Sequence, residues 1–276
     1  MAISNSMVNF KDLETKGFVV VPSFLNDQEN KKFQNDFDTQ EFLGNKNYPI
    51  KSCSKDLLHY TFDKIKKILE DIRNTTSLTT DTLVSNGIYT DSSLKIYSWH
   101  QDHESFYSFQ DVSQYLNFYI PVYKTSSNYS GLKVVPFDTL DKLAPTFSQQ
   151  IKGRGAAVYK SFDNTTIGVS DETGEKYEAD FNLDHICEAP VLNEGDLLIL
   201  RGDVIHATQD SKTRRLAISI RCANGNGIIS KSRLLSGCRT KQFYIQNNNN
   251  QYQRLLAAFG NQEQITILDY INSTHT

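Results

Sequence analysis

Apolar and polar positions in this chain follow two different periods, and the change falls near residue 77. Before it the spacing is helical. Residues 8–22 read as a short helix and then a strand, with Gly17 breaking the pattern before Phe18-Val19-Val20-Val21-Pro22. Asn26 with Glu29 three residues on matches a capping box, and Phe33 and Phe37 share a face of the helix that follows. Residues 39–54 turn polar and irregular. Ser54 stands where it can cap a second helix, on which Leu58, Phe62, Ile65, Leu69 and Ile72 form one apolar stripe while Lys, Glu and Asp residues face water. His59, on that helix, reads as a surface or packing residue.

Beyond residue 77 the period drops to two. Residues 79–84, 94–97, 115–120 and 132–135 have the composition of strands, as do 155–160 and 165–169. A polar turn at 171–175 sends the last of these back through 176–181 as a hairpin. Gly195-Asp196 then turns into Leu197-Leu198-Ile199-Leu200, a run apolar on both faces. No internal repeat occurs. The asparagine run at 247–250 reads as a loop and 252–259 as a helix. Many short strands after a helical section predict a β-sandwich or jelly roll buttressed by helices.

Length and composition narrow the class. One domain can absorb all 276 residues, with a helical section at about 8–76, a β core at about 77–222 and an extension at 223–276. Charge is nearly balanced, with 29 Lys+Arg against 32 Asp+Glu, so neither nucleic acid nor a membrane surface is the expected partner. Cys53, Cys187, Cys222 and Cys238 are scattered without a C-x-x-C, which suits free thiols in a reducing compartment. The N-terminus lacks a basic-then-apolar leader, and no apolar run approaches the roughly 18 residues of a membrane span. A cytoplasmic protein is expected.

The candidate chemistry sits in Ser98-Trp99-His100-Gln101-Asp102-His103. In an extended segment His100 and Asp102 leave the same face, so an imidazole and a carboxylate can reach one metal ion. His206 is the candidate third ligand. Two His and one carboxylate form the facial triad of non-haem Fe(II) oxygenases, which leaves positions open for O2 and a co-substrate. Alone, H-x-D is a weak motif that any polar loop can contain.

Residues 204–220 strengthen it if they form a hairpin turning at Asp210-Ser211, which would set His206 across from Arg215. Alternation then puts Arg215, Ala217, Ser219 and Arg221 on one face, and Leu216, Ile218 and Ile220 on the other. A guanidinium among small residues is a cavity holding a cation. 2-Oxoglutarate, which chelates Fe(II) at one end, needs a bidentate anchor for its distal carboxylate. Arg215 fits this better than Arg214, which alternation sends to the apolar side. Thr208, Asn117 and Tyr119 are placed to add polar contacts.

The chain from about 8 to 222 resembles the phytanoyl-CoA dioxygenase-like family of Fe(II)/2-oxoglutarate oxygenases. The resemblance is carried by Lys16-Gly17-Phe18-Val19-Val20-Val21-Pro22-Ser23-Phe24-Leu25, Trp99-His100-Gln101-Asp102 and Ser130-Gly131-Leu132-Lys133-Val134-Val135-Pro136. It continues through Gly195-Asp196-Leu197-Leu198-Ile199-Leu200, His206 and Arg215-Leu216-Ala217-Ile218-Ser219. It implies a double-stranded β-helix (jelly-roll, cupin-like) core, Fe(II) on His100, Asp102 and His206, and 2-oxoglutarate on Arg215, with Tyr119 and Thr208 beside it. O2 would be consumed, succinate and CO2 released, and ascorbate would support turnover. Pro136-Phe137-Asp138-Thr139 departs from the family's Pro-Gly-Ser-His, and 137–185 is longer than usual. Related halogenases carry a small residue where this chain has Asp102, so hydroxylation is expected rather than chlorination.

Two other readings stand beside an oxygenase: a non-catalytic jelly-roll binding protein, and a cupin-like metalloenzyme of another reaction class. The substrate side is read from the mouth. Residues 103–113 suit a lid, and His103, Glu104, Tyr107 and Tyr97 favour a small polar molecule. Arg221, Lys95 or Arg201 could meet an anionic group on it. Gln101, alternating away from the metal, is expected to be structural. Oligomeric state is not legible.

Overall fold

Two antiparallel sheets face each other, and the runs that are apolar on both faces lie at the centre of the larger one. The computed structural model describes residues 8–43, 50–94, 96–102, 109–154, 157–170, 172–237, 239–247 and 249–273. The larger sheet runs in the order β1 (Phe18–Val21), β11 (Leu197–Arg201), β6 (Leu116–Lys124), β13 (Arg215–Ala223), β5 (Ile88–Asp91), β3 (Ile50–Ser52) and β2 (Phe42–Leu43), with β4 (Thr82–Leu83) also on β13. Along β11, Leu197 and Ile199 enter one core while Leu198 and Leu200 enter another, so the run is buried on both sides. Such a strand can only be central.

The outer face of this sheet is covered by helices α1 (Asp12–Thr15), α2 (Asp27–Thr39) and α3 (Lys55–Thr75). Leu216, Ile218 and Ile220 of β13 and Phe118, Ile120 and Val122 of β6 meet Phe33 and Phe37 of α2 and Leu58, Ile65, Leu69 and Ile72 of α3. Each such side chain taken fully from water contributes about 1.5–3 kcal/mol. The capping box forms, with Asn26 Oδ1 accepting from Glu29 N at 3.0 Å and Glu29 Oε2 accepting from Asn26 N at 2.7 Å. Ser54 begins α3, but its side chain makes no capping bond; its backbone N–H is held by Asp36 instead. His59 is exposed.

The facing sheet contains β10 (Lys176–Ala179), β9 (Thr165–Ser170) and β8 (Ala157–Phe162), then residues 97–102, then β12 (His206–Thr208) and β7 (Leu132–Val134). Residues 97–102 join the two parts through Tyr159 N to Trp99 O (3.0 Å), Gln101 N to Ala157 O (3.0 Å) and the reciprocal His100–His206 pair. Phe18, Tyr119, Leu132, Val134, Leu198, Leu200, Val204 and Ala217 fill the space between the sheets. Behind the second sheet, the helices Phe137–Leu143 and Pro145–Ile151 pack Leu140, Phe147 and Ile151 on Trp99, Tyr159 and Ile205. Two sheets wrapped in this way, with helices on the flanks, make the double-stranded β-helix that was expected. Residues 137–185 widen the second sheet and cover its back.

Several local expectations are corrected. The strand expected at 94–97 lies earlier, at Ile88–Asp91, and only Thr82–Leu83 of 79–84 is a strand. Residues 204–220 are not a hairpin. β12 pairs with β7, and β13 pairs with β6 and β5, so His206 faces Val134 while Arg215 faces Lys124. The polar stretch 209–214 crosses between sheets, held by Ser130, whose hydroxyl meets Asp210 Oδ1 (3.2 Å), Thr213 N (3.0 Å) and Thr213 O (2.5 Å). A tight turn and a crossover have the same polar composition, and the choice is made by strands distant in sequence. Of the asparagine run expected as a loop, Asn247 closes the helix Arg239–Asn247 and Asn249 opens the helix Asn249–Phe259.

The extension builds its own core. β14 (Ile228–Ser230) pairs with β15 (Gln264–Thr266), and Ile229, Leu234, Leu255, Phe259, Ile265 and Ile267 close over Phe109 and Tyr115. Cys53, Cys187 and Cys222 are free; Cys238 lies outside the described residues. Among the described residues no helix is long and apolar enough to cross a membrane.

Candidate metal centre and co-substrate pocket

His100 and His206 are directly opposed across two strands, each donating its N–H to the other's carbonyl at 3.0 and 2.9 Å. Opposed residues project to one face, and the two rings lie 4.3 Å apart between centroids. Asp102, two residues along, is fixed by its N–H to Gly202 O at 3.2 Å, and its Oδ1 lies 3.8 Å from His206 Nε2. One ligand atom from each of His100, Asp102 and His206 falls within 4.8 Å of the other two. Separations of that size surround a space that metal–ligand bonds of about 2 Å would span.

Proton placement on the rings suits a metal. His100 Nδ1 lies 2.7 Å from Ser98 O and His206 Nδ1 lies 3.0 Å from Val204 O. A carbonyl only accepts, so each Nδ1 carries the hydrogen and each Nε2 presents its lone pair. Asp102 and His206 are buried.

Gln101 points away from the cluster, as alternation requires, and ties its backbone down. Its amide donates to Asp203 O (2.6 Å) and Ile151 O (3.2 Å) and accepts from Tyr159 OH (2.8 Å). Asp203, fully buried, binds Arg201 through both oxygens at 3.0 and 2.8 Å and Gly153 N at 2.8 Å. Arg201 is thereby committed to Asp203 and stacked over Phe137 at 4.9 Å, so its expected contact with an anionic group is not what it does. Gly17 closes the same corner; a Cβ there would meet Val204 Cγ2 at 2.2 Å.

A line of contacts runs from the cluster along the inner face of the larger sheet. Asn117 Nδ2 reaches Asp102 Oδ2 at 3.4 Å, while its Oδ1 is buried without a partner. Tyr119, two residues on and so about 7 Å away, accepts a hydrogen bond from Arg215 Nη1. Arg215 is 1% exposed, and its Nε and Nη2 have no acceptor. A buried guanidinium with unmet donors is costly unless an anion completes it. Arg214, by contrast, is half exposed and bound to Asp91. Burial pushes the Tyr119 phenol upward in pKa, with Arg215 pulling the other way. Backbone bonds to Ser92 hold Arg215 in place.

Thr208 lies on the face of His206, buried, its hydroxyl accepting from Tyr97 N at 2.9 Å. The Tyr97 ring stands 6.0 Å from that of His100. Arg221 is half-buried opposite Asn117. His103, Glu104, Tyr107 and Lys95 lie outside the described residues, as does most of the expected lid. Sequence reasoning missed Asp203 and Ser130, which act only through tertiary contacts, and Lys124, which faces Arg215 across two strands.

No protein-family model matches this sequence, and no curated protein matches it. Solved structures do. The epimerase SnoN, in complex with Fe3+, alpha-ketoglutarate and nogalamycin RO, is 13% identical over 79% of this chain and 83% of its own, with a TM-score of 0.50. HygX from Streptomyces hygroscopicus, with nickel, 2-oxoglutarate and hygromycin B bound, is 11% identical over 78% and 86%, at 0.47. EvdO2 from Micromonospora carbonacea var. aurantiaca, complexed with 2-oxoglutarate, is 12% identical over 81% and 92%, at 0.47. At such identities the likeness to SnoN, at a TM-score of 0.50, establishes the fold alone, a double-stranded β-helix. This chain is thus a jelly-roll protein with a two-histidine, one-carboxylate cluster inside its core.

Proposed function

We propose that this protein is an Fe(II)- and 2-oxoglutarate-dependent oxygenase acting on a small polar molecule, with hydroxylation of a C–H bond as its reaction. The observation that carries this is the pairing of the three-residue cluster on the second sheet with the unmet donors of buried Arg215 on the inner face of the larger one. His100, Asp102 and His206 would hold Fe(II), which supplies O2 activation coupled to oxidation of 2-oxoglutarate to succinate and CO2. Arg215 and Tyr119 would hold the distal carboxylate, and Asn117 would steady Asp102. The buried walls around β6 and β13 exclude water from the reacting centre. Asp102 argues for hydroxylation over halogenation because it takes the position a halide would need. The resemblance to the phytanoyl-CoA dioxygenase-like family, a single-domain organisation and a cytoplasmic site belong to the same reading.

The test is succinate release from 2-oxoglutarate with Fe(II), ascorbate and O2, screened with and without candidate polar substrates. Turnover is expected in the native protein and should vanish in His100→Ala and His206→Ala. Succinate formation persisting in either variant contradicts the ligand assignment.

A further inference from the structure

The inner face of the larger sheet carries, beside Arg215, a cation that residue alternation hides. On β6, Asn117, Tyr119 and Pro121 face the pocket side, so regular alternation would send Tyr123 inward and Lys124 out toward the helices. The register between β6 and β13 shifts instead: Ala217 faces Pro121, but Leu216 faces Tyr123 and Arg215 faces Lys124. The additional residue, Val122, is buried in the core beneath the helices, and Tyr123 packs against that core too. A β-bulge of this kind turns the following residue over. Lys124 therefore lies on the same face as Arg215 and directly opposite it.

Its surroundings are poor in compensation. The Lys124 ammonium donates to Ser127 O at 3.0 Å, and the loop passes close enough that a Cβ on Gly131 would come within 3.5 Å of it. Arg215 faces it from β13. Asp210, from the β12–β13 crossover, and Asp196, from the turn before β11, are the opposing charges that act on it, and each is engaged elsewhere. Asp210 Oδ1 accepts from Ser130 and Lys212; Asp196 accepts from Ser23 and Asn193. Glu194 takes the backbone N–H of Lys124. Among the described residues no carboxylate lies within ion-pair distance of the ammonium. Burial, with Arg215 beside it, pulls the Lys124 pKa down to about 8, against a smaller upward pull from Asp210 and Asp196.

We propose that Lys124 is a second cationic residue of the co-substrate pocket: Arg215 forks onto the distal carboxylate, and Lys124 supplies charge from behind it, coupling occupancy to pH. This rests on the 2-oxoglutarate reading above. The sign follows from linkage. Below about pH 8 the ammonium is charged with or without ligand, and affinity is constant. Above it the ammonium is neutral when the pocket is empty and is recharged by an arriving carboxylate. Binding then takes up a proton, and affinity falls as pH rises.

The experiment is calorimetric titration of 2-oxoglutarate into the anaerobic Fe(II)-loaded protein between about pH 6.5 and 9.5, in buffers of differing ionisation enthalpy. The native protein should lose about tenfold in affinity across the upper part of that range, with net proton uptake near pH 8.5. Lys124→Met should bind about tenfold more weakly at neutral pH and show neither slope nor uptake. Lys124→Arg, permanently charged, should bind tightly with no slope. A native affinity independent of pH, or a slope retained in Lys124→Met, overturns the inference while leaving the 2-oxoglutarate reading intact. Absence of 2-oxoglutarate binding at every pH removes both, and succinate release separates the two cases.

Discussion

At the scale of single residues, Arg215 and the histidines illustrate two ways a buried polar group reveals a missing partner. The imidazoles are satisfied at Nδ1 and directed at Nε2, so each can give one lone pair to a metal without rearrangement. Arg215 is satisfied only through Nη1 and its backbone. Truncating one partner of a desolvated, charge-assisted contact costs about 2–5 kcal/mol in binding. Arg215→Met should therefore weaken 2-oxoglutarate affinity by more than about thirtyfold, measured by calorimetry, with bound iron unchanged by elemental analysis. Equal loss of iron would mean that the arginine supports the fold rather than the ligand. Arg215→Lys keeps the charge but not the planar fork, so it should recover only part of the loss.

At the scale of elements, the site depends on how residues 97–102 are laid between β8 and β12. The ladder of backbone bonds sets the register of His100 against His206, and Gln101 sets its depth by reaching Asp203 O and Ile151 O on the far side. Replacing Gln101 by Leu leaves two buried carbonyls and the Tyr159 hydroxyl without that partner, each at a cost of about 1–3 kcal/mol. Thermal unfolding should fall accordingly. Iron affinity should fall about 10–100-fold, the range seen when groups that orient metal ligands are removed. Gln101→Glu, which keeps an acceptor for the Tyr159 hydroxyl but has no amide donor for the two carbonyls, should not restore the iron affinity. An iron affinity unchanged in Gln101→Leu would show that the strand ladder alone places His100 and Asp102. The placing of His100 and Asp102 on one face makes the extended form of these residues legible. The identity of the neighbouring strands is not, because it depends on β8 and β12, far away in sequence.

At the scale of the whole molecule, the extension after residue 223 is joined to the front of the core rather than trailing from it. Gln110 exchanges hydrogen bonds with Ser230 at 3.0 and 2.9 Å, and Arg233 donates to Gln110 O at 3.1 Å. Phe109 and Tyr115 are buried by residues of the extension. Removing residues 224–276 would expose that cluster, so the truncated chain should bind a hydrophobic dye, unfold at lower temperature and lose turnover, although every proposed ligand lies upstream. A truncated protein with native melting and native succinate release would show the extension to be dispensable.

What the sequence determined by itself is what depends on local period and on residue type. The capping box at Asn26, the stripe on α3, the doubly apolar β11 and the inward face of Arg215 all follow from neighbours a few positions apart. So does the pairing of His100 with Asp102 on one face. The expected His206–Arg215 hairpin failed because polar composition at 209–214 fits a turn and a crossover equally well, and only the strands waiting in each sheet choose between them. Lys124 was invisible for a related reason. Alternation predicts a side chain's face only while the ladder is regular, and one extra residue at Val122, buried in the core beneath the helices, reverses the faces beyond it. Register and sheet partnership are properties of two strands at once, so they were decided only in the folded molecule.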